Sequence, residues 1–289
     1  MGSKFPKVQE EGIFFVTVIT TTSNNATSAE ENTELATDAG ALSKLSKWLS
    51  SRSDGVQELA LRCVANIAVE FSGETFSTNG ITTAVIKLCG SSNPFVYEEA
   101  FNALNTLIYS EAYICRNIIQ YGALKMIKKA FTHGPSIKLL GIKFLKIVAS
   151  FDVRRLTDMI INEKFFPLIL KQIRDGSTDV MKAKSAKVIK IIVSQNHEII
   201  PSLIEEEIIS VICDSLQSES DNLLINALLI LQNIIDSIGY EEIREKFENS
   251  NGPQLLQNLH VHENEDIQEL SNQINLLVND VKEAATVVC

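Results

Sequence analysis

Apolar residues recur along this chain with a helical period. In Asp179 to Val193, DVMKAKSAKVIKIIV, the side chains of Val180, Met181, Val188, Ile189 and Ile192 fall on one side. Lys184, Lys187 and Lys190 fall on the other. The apolar stripe is too wide for a lone surface helix, so the segment must pack on neighbours. The pattern returns along the chain as an aliphatic residue, a small residue at the fifth place and a long apolar helix. Copies begin at Val56, Val96, Ile137, Val180, Leu223 and Ile267, separated by 40, 41, 43, 43 and 44 residues. A weaker copy begins at Val8, where the β-branched and aromatic run GIFFVTVIT suits a strand as well as a helix. The fifth place holds Gly12, Ala60, Ala100, Gly141, Ala227 and Ser271, and a small residue there permits close helix–helix approach. Lys184 alone departs from the rule.

Between the long helices, a turn leads into a shorter apolar helix. Gly40, Gly80 and Gly122 suit left-handed turns, and Pro253 suits the first position of a helix. Polar loops such as SSRSDG, RDGSTD and QSESDN then place Ser, Asp and Asn where N-caps belong. One such unit cannot bury its own apolar faces, but a stack can. The expected fold is all-α, a right-handed α-solenoid of about six to seven repeats with a concave groove. Residues 1–33 read as a capping half-repeat followed by a polar loop over 20–32. Residues 34–289 read as the repeat domain, in units of about 34–74, 75–115, 116–156, 157–198, 199–245 and 246–283. The last long helix carries Gln268, Asn272, Gln273 and Asn275, as a terminal cap should.

The segment VQELALRCVANIA, preceded by DAGAL, resembles the armadillo repeat, and the resemblance spans roughly residues 8–282. It implies that the long helices line a groove for extended peptides or partner domains. In the nuclear-import adaptors of that family, the groove carries a Trp at the seventh place and an Asn at the eleventh. Here the seventh places hold Phe14, Arg62, Asn102, Lys143, Ala186, Leu229 and Gln273. The eleventh places hold Val18, Asn66, Thr106, Ile147, Lys190, Asn233 and Leu277. Trp is missing from the row, and Trp48, the chain's one Trp, lies on a second helix and reads as core. Binding of basic localisation peptides is therefore not expected. A narrower resemblance joins MKAKSAKVIKII and the ending LLQNLHVHENEDIQELSNQINLL to the armadillo-type nucleotide exchange factors of the heat-shock ATPase chaperone. It implies, as the alternative, that the concave face holds the chaperone's ATPase domain.

Charge sharpens the choice of partner. The net charge is −10, but residues 116–190 hold 16 Lys/Arg against 5 Asp/Glu, while residues 191–289 hold 3 against 18. A basic centre between acidic ends favours a protein partner of acidic character over nucleic acid. The expected contact residues are Arg62, Asn66, Asn102, Thr106, Lys143, Lys146, Lys184, Lys187, Lys190 and Asn233.

Catalytic signatures are missing: there is no GxSxG, P-loop, GxGxxG or HExxH. His260-Val261-His262-Glu263 is the one His/acid cluster, and a metal needs three or four converging ligands. The five cysteines form no CxxC pair, which suits reduced thiols in a cytoplasmic or nuclear protein. The apolar run at 12–20 is too short to span a bilayer. The expectation is a non-enzymatic binding scaffold with no cofactor, no metal and no membrane insertion.

Overall fold

The computed structural model describes residues 5–20, 26–69, 73–109, 111–151 and 153–287, and every element in them is helical. The chain divides into two compact units, Met1–Phe151 and Asp152–Cys289. The repeat pattern gives no sign of this boundary, which falls near the end of the 116–156 repeat.

The first unit contains α1 (Pro6–Ile19), α2 (Ala26–Asp38), α3 (Ala41–Leu49), α4 (Asp54–Ile67), α5 (Gly73–Thr78), α6 (Ile81–Leu88), α7 (Pro94–Leu107), α8 (Ala112–Gln120), α9 (Ala123–Ala130) and α10 (Pro135–Ser150). Its long helices stack in the order α1, α4, α7, α10. The second unit contains α11 (Arg154–Asn162), α12 (Phe166–Asp175), α13 (Asp179–Gln195), a 3-10 turn at His197–Ile199, α14 (Ile200–Glu205), α15 (Ile208–Ser215), α16 (Asp221–Ile238), α17 (Arg244–Asn249), α18 (Gly252–Leu259) and α19 (Glu265–Val287). Here α13 packs on α16 and α16 on α19. In each repeat the middle helix lies against the long helix that follows it, as α3 on α4 and α12 on α13.

The structure resolves the ambiguity at 8–20 in favour of helix α1, which buries Ile13 and Val16 against the array. Tertiary burial decides what the β-branched run leaves open. The polar stretch 20–32 is corrected in part. Residues 21–25 lie outside the described residues, but the backbone is helical from Ala26, and α2 buries Thr33 and Ala36. Trp48 is core, as its place on a second helix suggests.

Repeats are joined by side chains as well as by apolar packing. The N-cap Asn93 accepts from the backbone of Phe95 at 2.9 Å and donates through Nδ2 to Asp54 Oδ2 at 2.8 Å, in the first turn of the preceding long helix. Asn264 donates to Asp221 Oδ2 at 2.7 Å in the same way. Ser53 hydroxyl donates to Glu10 Oε1 at 3.1 Å.

The turn before each middle helix is left-handed. In the first unit it falls on Gly40, Gly80 and Gly122, as the sequence suggests. In the second unit the same turn falls on Lys164, Glu207 and Asn251, with φ of 55°, 64° and 58°. Gly252 serves close packing instead: a Cβ there would stand 2.3 Å from the Phe247 ring.

One register is corrected. The repeat in α13 begins at Met181 and not at Val180: Met181 is 2% exposed and Val180 54%. Ser185 is therefore the small residue at the fifth place. It is fully buried, and its hydroxyl donates to Met181 O at 2.8 Å. The segment carries small residues at both 185 and 186, so periodicity alone admits two frames. Burial excludes the one that would put the Lys184 ammonium in the core. Lys184 takes the fourth place and Lys187 the seventh. Lys190 takes the tenth and Ile191 the eleventh. The fifth place is as tight as the repeat pattern implies, since a Cβ on Gly141 would lie 3.2 Å from Ala130 Cβ of α9.

Candidate partner-binding face

In α4, α7, α13 and α16 the seventh and eleventh places lie on the open side, because the fifth, sixth, eighth and ninth are buried. In α4 the seventh place is Arg62 and in α13 it is Lys187, both exposed. Their surroundings differ. Arg62 is closed by two carboxylates, Glu58 Oε1 of its own helix at 2.8 Å and Glu99 Oε1 of α7 at 2.9 Å. Glu58 is the third place of α4 and Glu99 the fourth of α7. The matching places around Lys187 are Ala183 of α13 and Asn226 of α16, neither of which carries charge. Asn226 is occupied elsewhere, donating to Asn222 O at 2.6 Å and to Ala183 O at 3.5 Å.

Lys184 and Lys187 are exposed, and Lys190 is half-buried. Lys190 takes the tenth place, which in α7 Asn105 uses to donate to Leu140 O of α10 at 3.1 Å. Among the described residues, no carboxylate pairs with Lys184, Lys187 or Lys190. Lys182 stands apart from them, in a cleft with Asp179, Asp214 and Glu219. Beside the α13 lysines, α16 offers Leu229 at the seventh place and Asn233 at the eleventh, both half-buried. The Asn233 amide donates to Leu229 O of its own helix at 2.6 Å.

In the first unit, the expected residues behave differently. The Asn66 amide donates to Thr17 O of α1 at 3.1 Å, so it ties two long helices together. Thr106 hydroxyl donates to Asn102 O at 3.2 Å, and both residues are half-buried. On α10, Lys143 is exposed and Lys146 half-buried, again with no carboxylate partner among the described residues. Sequence reasoning missed Glu58, Glu99 and Asn226. Their signal was present: a Glu at the third or fourth place of a repeat can reach a cation at the seventh.

No group of His, Cys, Asp and Glu among the described residues is placed to hold a metal. His262 organises its loop, with Nδ1 accepting from Asn264 N at 3.1 Å and its carbonyl accepting from Gln268 at 2.5 Å. Cys63, Cys89, Cys115 and Cys213 are buried free thiols. Burial pushes Cys63, Cys115 and Cys213 up to about 12, and Cys89 also upward, so none is poised as a nucleophile. No described helix is long and apolar enough to cross a membrane.

No family model matches the chain, and no curated protein matches it. Solved structures do. A designed armadillo repeat protein superposes with a TM-score of 0.70 at 20% identity, over 82% of this chain and 99% of that one. A computationally designed armadillo protein for modular peptide recognition gives 0.72 at 20%, over 80% and 97%. A third designed armadillo protein, solved in complex with the peptide (KR)4, gives 0.71 at 22%, over 80% and 96%. The chain has the armadillo repeat fold, an all-α solenoid.

Proposed function

We propose that the chain is a non-enzymatic scaffold that captures an acidic protein segment on the exposed lysines of its long helices. The observation that carries this reading is the contrast between Arg62 and Lys187. The same place in the repeat bears a cation in both helices. In α4 the protein neutralises it internally, and in α13 it leaves Lys184 and Lys187 without a carboxylate. Two nearby like charges with no internal partner favour an anionic visitor and disfavour a cationic one. Leu229 and Asn233 beside them supply an apolar contact and an amide. The designed protein bound to (KR)4 uses the same fold for a basic peptide, so on this reading the present chain has the opposite preference. The exchange-factor alternative rests on the sequence resemblance alone.

The test is fluorescence anisotropy with a labelled acidic peptide, Glu-rich with interspersed Leu, on the full chain. Capture should weaken as salt rises. Reversing Lys184, Lys187 and Lys190 to Glu should weaken it about 30-fold or more, since each exposed pair is worth up to about 1 kcal/mol. Reversing Lys143 and Lys146 forms a separate arm. Arg62→Ala should leave capture unchanged. Equal capture of a Lys/Arg peptide, or undiminished capture by the triple variant, would sink the reading.

A further inference from the structure

The partner-binding face of the second unit is not uniform along its stack. In α4, Glu58 at the third place closes on Arg62 at the seventh. These two places, at i and i+4, are neighbours on the surface of any helix. In the second unit the pair is divided between helices. At the same places α13 has Ala183 and Lys187, with Lys184 beside them. α16 has Ile225 and Leu229, both half-buried. α19 has Glu269 and Gln273, both exposed.

Glu269 Oε1 accepts from Gln273 Nε2 at 3.1 Å, so this carboxylate meets a neutral amide where Glu58 meets a guanidinium. Among the described residues, no cation pairs with Glu269, just as no carboxylate pairs with Lys187. The two charges do not serve each other. α13 packs on α16 and α16 on α19, so two interhelical spacings separate them, about 16–20 Å. That is roughly twice the screening length of about 8 Å at physiological ionic strength. Across the three helices the face therefore runs from basic through aliphatic to acidic. Asp236 of α16 is exposed as well, but it stands beyond Leu229, about 10 Å along the helix axis.

We infer that the captured segment is graded to match: a carboxylate over α13, an aliphatic side chain over α16 and a Lys or Arg over α19. This rests on the capture of an acidic segment proposed above, and adds what the rest of that segment must be. An extended chain advances about 3.3 Å per residue, so crossing helices about 8–10 Å apart takes about three residues per helix. The grading also excludes. A segment acidic throughout sets a carboxylate against Glu269, and that repulsion selects against it.

Fluorescence anisotropy on the full chain tests this with labelled peptides on a Ser/Gly background. The graded peptide carries Glu-Glu, Leu and Lys about three residues apart, and is made in both chain directions. A second peptide has Glu in place of the Lys, and a third has Ser in place of the Leu. The graded peptide in its better direction should bind about fivefold tighter than either. Closing the spacing to a single residue should remove that advantage. Glu269→Gln should level the first two peptides and Glu269→Lys should invert their order, while Lys184→Glu with Lys187→Glu should weaken all three. Unchanged far-UV circular dichroism confirms that each variant is folded. If the graded and all-acidic peptides bind alike and Glu269→Lys changes neither, the inference is overturned while the lysine reading stands. If no peptide is captured, or lysine reversal leaves capture unchanged, both fall.

Discussion

The two units are built from one repeat, yet they differ in where they carry a side chain that the repeat does not need. The first unit gives its left-handed turns to Gly40, Gly80 and Gly122, and the second gives them to Lys164, Glu207 and Asn251. A residue with a Cβ costs about 1–2 kcal/mol in that conformation. The first unit encloses one seventh-place cation, Arg62 of α4, between two carboxylates and leaves Lys143 of α10 open, and the second leaves Lys187 of α13 open. The difference teaches that shared architecture does not fix surface chemistry. Arg62 is held by carboxylates of its own unit, whereas Lys187, at the same place of the repeat, is displayed.

The largest expected effect comes from alkali. Cys63 and Cys115 are protonated in the folded first unit up to pH about 12, while in an unfolded chain they ionise near pH 8.5–9. The unfolded state therefore loses protons first as pH rises. Each thiol withdraws about 1.4 kcal/mol of stability per pH unit above 9, and the loss continues until the folded thiol ionises too. The second unit has a single described thiol, Cys213. Between pH 9 and 11, fluorescence of Trp48, which lies in the first unit, should report unfolding in less urea than circular dichroism of the whole chain. Coincident curves at every pH would erase this difference between the units.

A smaller effect tests the corrected register. Ser185→Lys places an ammonium at the buried fifth place and should cost about 3–5 kcal/mol, whereas Lys184→Ser should stay within about 0.5 kcal/mol. Urea titration checks both, and the reverse order would restore the frame starting at Val180. Exchanging the turns comes next. Glu207→Gly should stabilise by about 0.5–1 kcal/mol, and Gly122→Ala should destabilise by about 1 kcal/mol. If both changes are neutral in thermal melts, the turns do not distinguish the units. The smallest effect is on binding. Asn226→Glu gives Lys187 the carboxylate that Glu99 gives Arg62, and should weaken capture of the acidic peptide about threefold, the equivalent of less than 1 kcal/mol.

The architecture was legible because seven copies of one pattern average out local ambiguity. The fifth-place residues, the turn glycines and the buried Trp48 all follow from burial periodicity, which any one copy shows only weakly. The start of α2 was hidden by its polar composition, which is supported by packing of Thr33 and Ala36 and not by local signal. The frame of α13 was hidden because Ser185 and Ala186 are both small. The candidate face was half legible. Lysines at long-helix places could be read from spacing, but whether each meets a carboxylate depends on the third and fourth places of its own and the neighbouring helix. That is a relation between residues about 37 positions apart, and no single repeat displays it.

The hydrogen bonds from Asn93 to Asp54 and from Ser53 to Glu10 have a consequence for how such a chain can change length. Each donor sits at the entrance to a long helix, and each acceptor is a carboxylate near the start of the long helix before it. Excising residues 53–92 would bring Asn93 to the position that Ser53 now fills, facing Glu10. The joint would close with a different donor on the same acceptor. The array thus behaves like a train of cars with one standard coupling, from which a car can be taken without refitting its neighbours.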